Sequence, residues 1–184
     1  MLTKIKGDER TAEYRVWSHW LKSAAELQGE WHLADPEDNP FAYNETASVS
    51  FLCCAAGRAG YVGLADYRVE KFLGYGRCDL WLSDGAHEWA FEFKQLAPGG
   101  VPRRRIHRKW AEATRCAMDL RKESGIGRVA GLILSTYWID DDDRRESCRT
   151  LMAAFVGSDA DFAWELNPTD KSGVEATIAF KLID

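Results

Sequence analysis

A chain of 184 residues, 46% hydrophobic and 29% charged, is sized and composed for one globular domain with a sizeable core. Its net charge of −5 argues against a general nucleic-acid binder, so any such contact must be local, on a basic patch against an acidic background. No apolar run approaches the ~20 residues of a membrane span, the opening MLTKIKGDER lacks the apolar stretch of a secretory leader, and the cysteines, without a CxxC pair, are expected to be free thiols of a reducing, cytoplasmic setting with no zinc site.

Residues 11–28 carry Tyr14, Trp17, Leu21, Ala24 and Ala25 at spacings of three and four, which predicts an amphipathic helix with Glu13 and Glu26 solvated. The stretch 30–44, with Asp35-Pro36 and Asn39-Pro40, reads as a loop. Asn44 is a good N-cap, and the helix behind it buries Val49, Leu52, Cys53 and Ala56. Glu45 lies one turn before Val49 on the same inward face; at a helix N-terminus an acid also complements the dipole. A glycine-punctuated turn over 57–63 leads to residues 64–70, where Ala65, Tyr67 and Val69 share one face of the first expected strand. The segment 71–77, KFLGYGR, reads as a loop whose Lys71 and Arg77 are either phosphate contacts or solvated cations.

Residues 78–82 (CDLWL) and 88–94 (EWAFEFK) suit strands, and Asp84-Gly85 between them suits a two-residue hairpin turn. That turn pairs Ser83 with Ala86 and Asp79 with Ala90. It sets Glu92 diagonal to Asp79 and Lys94 beyond it on the same face. Diagonal neighbours lie about 7–8 Å apart, within reach of a shared ion for two carboxylates, whereas a three-residue loop would send the two acids to opposite faces. Cys78, Leu80, Leu82, Phe91 and Phe93 form the other, core-facing side, and Trp81, Trp89 and Trp138 are expected in the core. Two carboxylates suit a hard divalent cation, because Mg²⁺ keeps several waters and takes only one or two protein carboxylates. Such an ion polarises a phosphodiester and sharpens a bound water as nucleophile, with Lys94 placed to orient that water. The competing reading is a surface ion pair on the wet side of a sheet.

A connector over 96–102 precedes RRRIHRK, the start of a helix that buries Ile106, Trp110, Ala113, Ala117 and Leu120 and runs to about residue 122. Arg103, Arg104, Arg105 and Arg108 are candidate contacts to a phosphate backbone. Cations at a helix N-terminus oppose the dipole, which hints at a use; the alternative is a solvated face. Residues 128–139 form a mostly apolar run suited to a central strand, reached by a crossover expected to be right-handed. The acids over 140–143 fit capping of the next helix better than a metal site, since Cys148, Leu151, Met152, Phe155 and Val156 behind them make a clean stripe. Strands over 162–166 and 174–183, with a turn over 167–173, make a terminal hairpin.

Asp79, followed thirteen residues later by Glu92-Phe93-Lys94 at the ends of paired strands, resembles the motif of the PD-(D/E)XK nuclease superfamily, with Cys78 where the name-giving proline would stand. Gly76-Arg77 ahead of the acid, the hairpin turn and the apolar padding add to the resemblance, which covers about residues 45–139. It implies a single α/β domain of restriction-endonuclease-like fold: a central mixed sheet flanked by helices on both faces. It implies a Mg²⁺- or Mn²⁺-dependent nuclease acting on DNA, with RNA left open. Asp79 and Glu92 would hold the metal, the Phe93 carbonyl would be a further ligand, and Lys94 would position the water. Many members carry a Glu on a first core helix that completes the metal site; Glu45 is the match, with Glu13 less favoured. Gln95, directly after the lysine, is a minor candidate. Restriction-type members often dimerise to cut both strands, so a homodimer or larger complex is compatible with the resemblance. The alternative is a nuclease-fold module that binds nucleic acid or protein within a larger complex, without chemistry.

Overall fold

The computed structural model describes residues 1–35, 38–72, 74–96, 103–121, 125–136, 139, 141–166 and 176–184. The expected connector over 97–102, the turn over 167–173, Trp138 and Asp140 lie outside the described residues. The elements run β1 (Leu2–Lys6), α1 (Ala12–Ala34), α2 (Glu45–Arg58), β2 (Val62–Lys71), β3 (Gly74–Ser83), β4 (Glu88–Leu96), α3 (Arg103–Asp119), β5 (Ile126–Ser135), α4 (Asp142–Asp159), β6 (Phe162–Leu166) and β7 (Ala176–Ile183). The strands form one 7-stranded sheet in the order β1-β6-β7-β5-β4-β3-β2. β4 and β5 pair in parallel, joined through α3, and the other neighbours are antiparallel. The architecture is therefore α/β with a central mixed sheet.

Both faces of that sheet are covered. On one, Trp17, Trp20 and Leu21 of α1 and Val49, Leu52 and Ala56 of α2 pack on Leu80, Leu82, Phe91, Phe93, Ile133 and Phe180. On the other, Ile106 and Trp110 of α3 and Met152, Phe155 and Val156 of α4 pack on Leu96, Leu132, Leu134 and Ala179. Trp17 is enclosed by four rings, Trp89, Phe91, Phe162 and Phe180, with centroids 5.0–5.8 Å away. Trp20 donates its indole N–H to the Leu52 carbonyl at 2.8 Å, which ties α1 to α2 through a satisfied buried polar group.

Several boundaries differ from the sequence reading. α1 runs on to Ala34, through part of the expected loop, and stops two residues before Pro36. The residue before a proline is steered to extended backbone, and Asp35 has φ −143° and ψ 93°. β1 was not foreseen: five residues with two lysines, partly exposed along most of its length, pair with β6 as an edge strand. The expected loop over 71–77 is largely strand, because the antiparallel pairing of β2 and β3 extends from Val62↔Ser83 to Lys71↔Gly74. β5 ends at Ser135 rather than at residue 139.

Candidate functional site

The β3–β4 hairpin carries the candidate acids, and its register differs from the expected one by two residues. Ser83 pairs with Glu88, Leu82 with Trp89, Trp81 with Ala90 and Leu80 with Phe91, so the loop is four residues, Asp84 to His87. Asp84 drives the wider loop: its carboxylate accepts the N–H of Ala86 at 2.8 Å and of His87 at 2.7 Å. The Ser83 hydroxyl accepts the Gly85 N–H at 3.1 Å, and Gly85 sits at φ +89°, where a side chain is disfavoured. A shift of two keeps parity. By register alone Asp79 and Glu92 would share a side, and carrying the register one step further would set them opposite rather than diagonal.

The ladder stops at that step. The Asp79 carboxylate, not a backbone carbonyl, accepts the Phe93 N–H at 2.6 Å. On its other flank the β2–β3 pairing passes from Ala65↔Leu80 to Tyr67↔Cys78 without joining Asp66 to Asp79, and Asp66 has φ +55°. Alternation is disturbed across this break. Cys78 leaves the expected face of Leu80 and Leu82 and packs instead with Ala90 and Leu120.

Around the break four elements bring charges together. Glu45, the first residue of α2, accepts the Lys94 ammonium at 2.9 Å and the Gln95 backbone N–H at 3.0 Å. Asn44 caps that helix, accepting the Ala47 N–H at 2.9 Å, and so aims Glu45 at β4. Lys94 also donates to the Phe93 carbonyl at 2.6 Å, so the oxygen expected as a metal ligand already has a donor. Lys71, at the end of β2, donates to Glu92 at 2.7 Å, and Glu92 is 5% exposed. Gln95 takes the Ser48 hydroxyl at 2.9 Å and donates to the Phe41 carbonyl at 3.0 Å, stapling β4 to α2 and the loop before it. A cleft of about 280 Å³ opens onto Glu45, Asp66 and Asp79.

The electrostatics are those of a crowded, part-buried site. Burial raises the Asp79 carboxyl, and Glu45 adds to this, against the Phe93 N–H and Lys94. Burial raises Glu92 as well, with Asp79 adding and Lys71 opposing. Burial works to lower both ammonium groups, but Glu45 and Asp79 leave Lys94 raised overall, and Glu92 leaves Lys71 raised. Burial, with Glu92 and Asp79 adding to it, pushes the Cys78 thiol up to about 12, which makes it inert as a nucleophile.

The basic segment is placed differently. It is Glu112 and Cys116, in the second half of α3, that feel Lys94, whereas Arg103, Arg104 and Arg108 are exposed on the first turns and Arg105 is half-buried. Arg77 belongs to a strand and is ion-paired with Asp66 at the rim of the cleft. Lys71 is not the loop cation that the sequence suggested but part of the charge cluster. All five cysteines are free, and among the described residues no helix is long and apolar enough to cross a membrane.

Among the described residues, no group of three or more His, Cys, Asp or Glu side chains is arranged to hold a metal ion. The donor chemistry nevertheless suits a hard dication, since Asp79 and Glu92 are carboxylates whose charge is disfavoured by burial, and further by Glu45 at Asp79 and by Asp79 at Glu92. Two such oxygen ligands are as many as Mg²⁺ commonly takes from a protein. Comparison of the chain with protein-family models, curated proteins and solved structures returns no match.

Proposed function

We propose that this protein is a metal-dependent nuclease of the PD-(D/E)XK type that hydrolyses DNA phosphodiester bonds in the cytoplasm. The observation that carries the reading is the meeting of Glu45 from α2, Asp79 from β3, and Glu92 and Lys94 from β4 at one broken point of the sheet. Asp79 and Glu92 would hold Mg²⁺ or Mn²⁺. That ion supplies, when bound, polarisation of the phosphoryl oxygen and a more acidic water. Lys94, oriented by Glu45 and the Phe93 carbonyl, would hold the attacking water and offset negative charge developing on the phosphoryl oxygens. Glu45 is a positioning residue through its two bonds to β4, and Gln95 keeps that arrangement in register with α2. The exposed Arg103, Arg104 and Arg108, with Arg105 and Arg77, supply backbone contacts that carry no sequence preference.

The test is incubation of the purified protein with plasmid, linear and single-stranded DNA, with and without Mn²⁺, beside Asp79→Asn and Lys94→Met. Cleavage by the wild type and its loss in both folded variants is the expected result. A second reading, a nuclease-fold binding module without chemistry, is favoured by one feature: Lys71 and Lys94 already engage Glu92 and the Phe93 carbonyl. DNA binding without cleavage, and no Mn²⁺-dependent rise in melting temperature, would select it.

A further inference from the structure

Lys71 is the one member of the charge cluster that the nuclease motif does not contain. We propose that its ammonium is the resident cation of the Glu92 subsite, and that a divalent ion binds there only by displacing it; this rests on the metal-dependent reading above.

The route that Lys71 takes to Glu92 is specific. Lys71 ends β2, the edge strand, whereas Glu92 lies on β4, and β3 runs between them. The Lys71 stem crosses β3 over Gly76, where an added Cβ would lie 2.5 Å from its Cδ and 2.8 Å from its Cε. A larger residue at 76 would stand in the lysine's path. The backbone on either side of Lys71 is anchored to the end of α3: the Phe72 N–H donates to the Asp119 carbonyl at 2.9 Å, and the Arg121 N–H to the Glu70 carbonyl at 2.9 Å. The tether is thus fixed while the side chain keeps its rotatable bonds. Beside it lies a second cleft of about 510 Å³, lined by Lys71, Tyr75 and Arg121, that can receive the ammonium once it leaves Glu92. The Glu92 side chain is only 6% exposed with Lys71 in place, so a second cation has no room on the same oxygen without displacement.

A site occupied by its own side chain binds an outside cation with an affinity reduced by the fraction of time it stands open. Calorimetric titration of the metal-free protein with Mn²⁺ measures this. Lys71→Met is expected to bind roughly tenfold or more tightly than wild type, while Lys71→Arg, which keeps a cation on Glu92, stays near wild type. Gly76→Ala pushes the stem aside without touching a carboxylate and is expected to tighten binding as well; it carries the comparison if Lys71→Met does not fold without metal. Asp79→Asn, expected to lose the binding, assigns the heat to this site. Uptake by wild type that neither Lys71→Met nor Gly76→Ala strengthens overturns the inference and leaves the nuclease reading standing. No uptake by wild type or by either variant overturns both.

Discussion

Lys94→Met separates a chemical role for this lysine from a structural one. In the fold Lys94 contributes an ion pair with Glu45, whose side chains are 14% and 33% exposed, and a bond to the Phe93 carbonyl. A pair whose carboxylate is a third exposed is worth up to about 1 kcal/mol, and the carbonyl bond about 1 kcal/mol more. Glu45 keeps its second bond, to the Gln95 N–H at 3.0 Å, so it is not left bare. The variant should therefore lose about 1–2 kcal/mol, or roughly 2–8 °C in melting temperature for a domain of this size, and stay folded at 25 °C. Cleavage should fall much further, about 10²–10³-fold, as expected when a preorganised donor to developing charge is removed. The assay is a plasmid-nicking time course in Mn²⁺, paired with thermal denaturation of the same preparation. Cleavage within about threefold of wild type by the folded variant would refute the role given to Lys94. Equal loss of fold and activity would refute the division into a small structural and a large chemical part.

Asp79→Asn combined with Glu92→Gln should change how stability depends on pH. Both carboxyls are raised in the folded state, so from about pH 4 upward the folded protein holds more protons than the unfolded one and stability falls as pH rises through the folded values. The metal-free double variant should lack this descending component in melting temperatures from pH 4 to 8, read as the difference from wild type because Asp8, Glu30, Asp84 and Glu112 are lowered and slope the other way. Gln95→Leu removes the staple to Ser48 and the Phe41 carbonyl, and should cost about 1–3 kcal/mol in chemical denaturation with a fall in cleavage smaller than that of Lys94→Met. Asn44→Ala should cost about 1 kcal/mol by losing the cap of α2, with reduced cleavage because Glu45 is the residue next to it. Replacing Arg103, Arg104 and Arg108 by Ala should weaken DNA binding equally for unrelated sequences and reduce the slope of log affinity against log salt by roughly 0.9 for each phosphate that is no longer neutralised.

The acid pair was legible in the sequence for a reason stronger than the turn type assumed. A two-residue loop and the four-residue loop set by Asp84 differ by an even number, so the register brings Asp79 up beside Glu92 in either case, although the break in the ladder turns the Asp79 carboxylate to the Phe93 N–H. Glu45 was legible because Asn44 fixes where α2 begins. Cys78 was misplaced because alternation assumes an unbroken ladder, and the ladder breaks at Asp79, where a side chain takes over a backbone bond. Lys71 was a candidate phosphate contact, but its pairing with Glu92 was hidden by the distance between the two along the chain and by the glycines around Lys71, which resemble a loop; the glycine at 76 is in fact the clearance its side chain needs. The basic start of α3 looked close to the site because it follows β4 in sequence. With a rise of about 1.5 Å per residue, Arg103 lies about 14–20 Å along the axis from Glu112 and Cys116, the residues that meet the site charges.

The balance of charge in the cluster bears on which ligand it suits. Glu45, Asp79 and Glu92 face two ammonium groups, Lys71 and Lys94, so with all five ionised the cluster holds one net negative charge. That state is tolerable half-buried only because each acid has a hydrogen-bond donor: Lys94 and the Gln95 N–H for Glu45, the Phe93 N–H for Asp79, Lys71 for Glu92. On the proposed reading a dication that sends the Lys71 ammonium into the adjoining cleft leaves the three acids, Lys94 and the ion at zero net charge, with Lys71 close by as the cation that a phosphodiester can meet. The arrangement therefore favours a metal ion and a phosphodiester together over either alone, and Mn²⁺ affinity should rise when a non-cleavable DNA analogue is present, by reciprocal coupling.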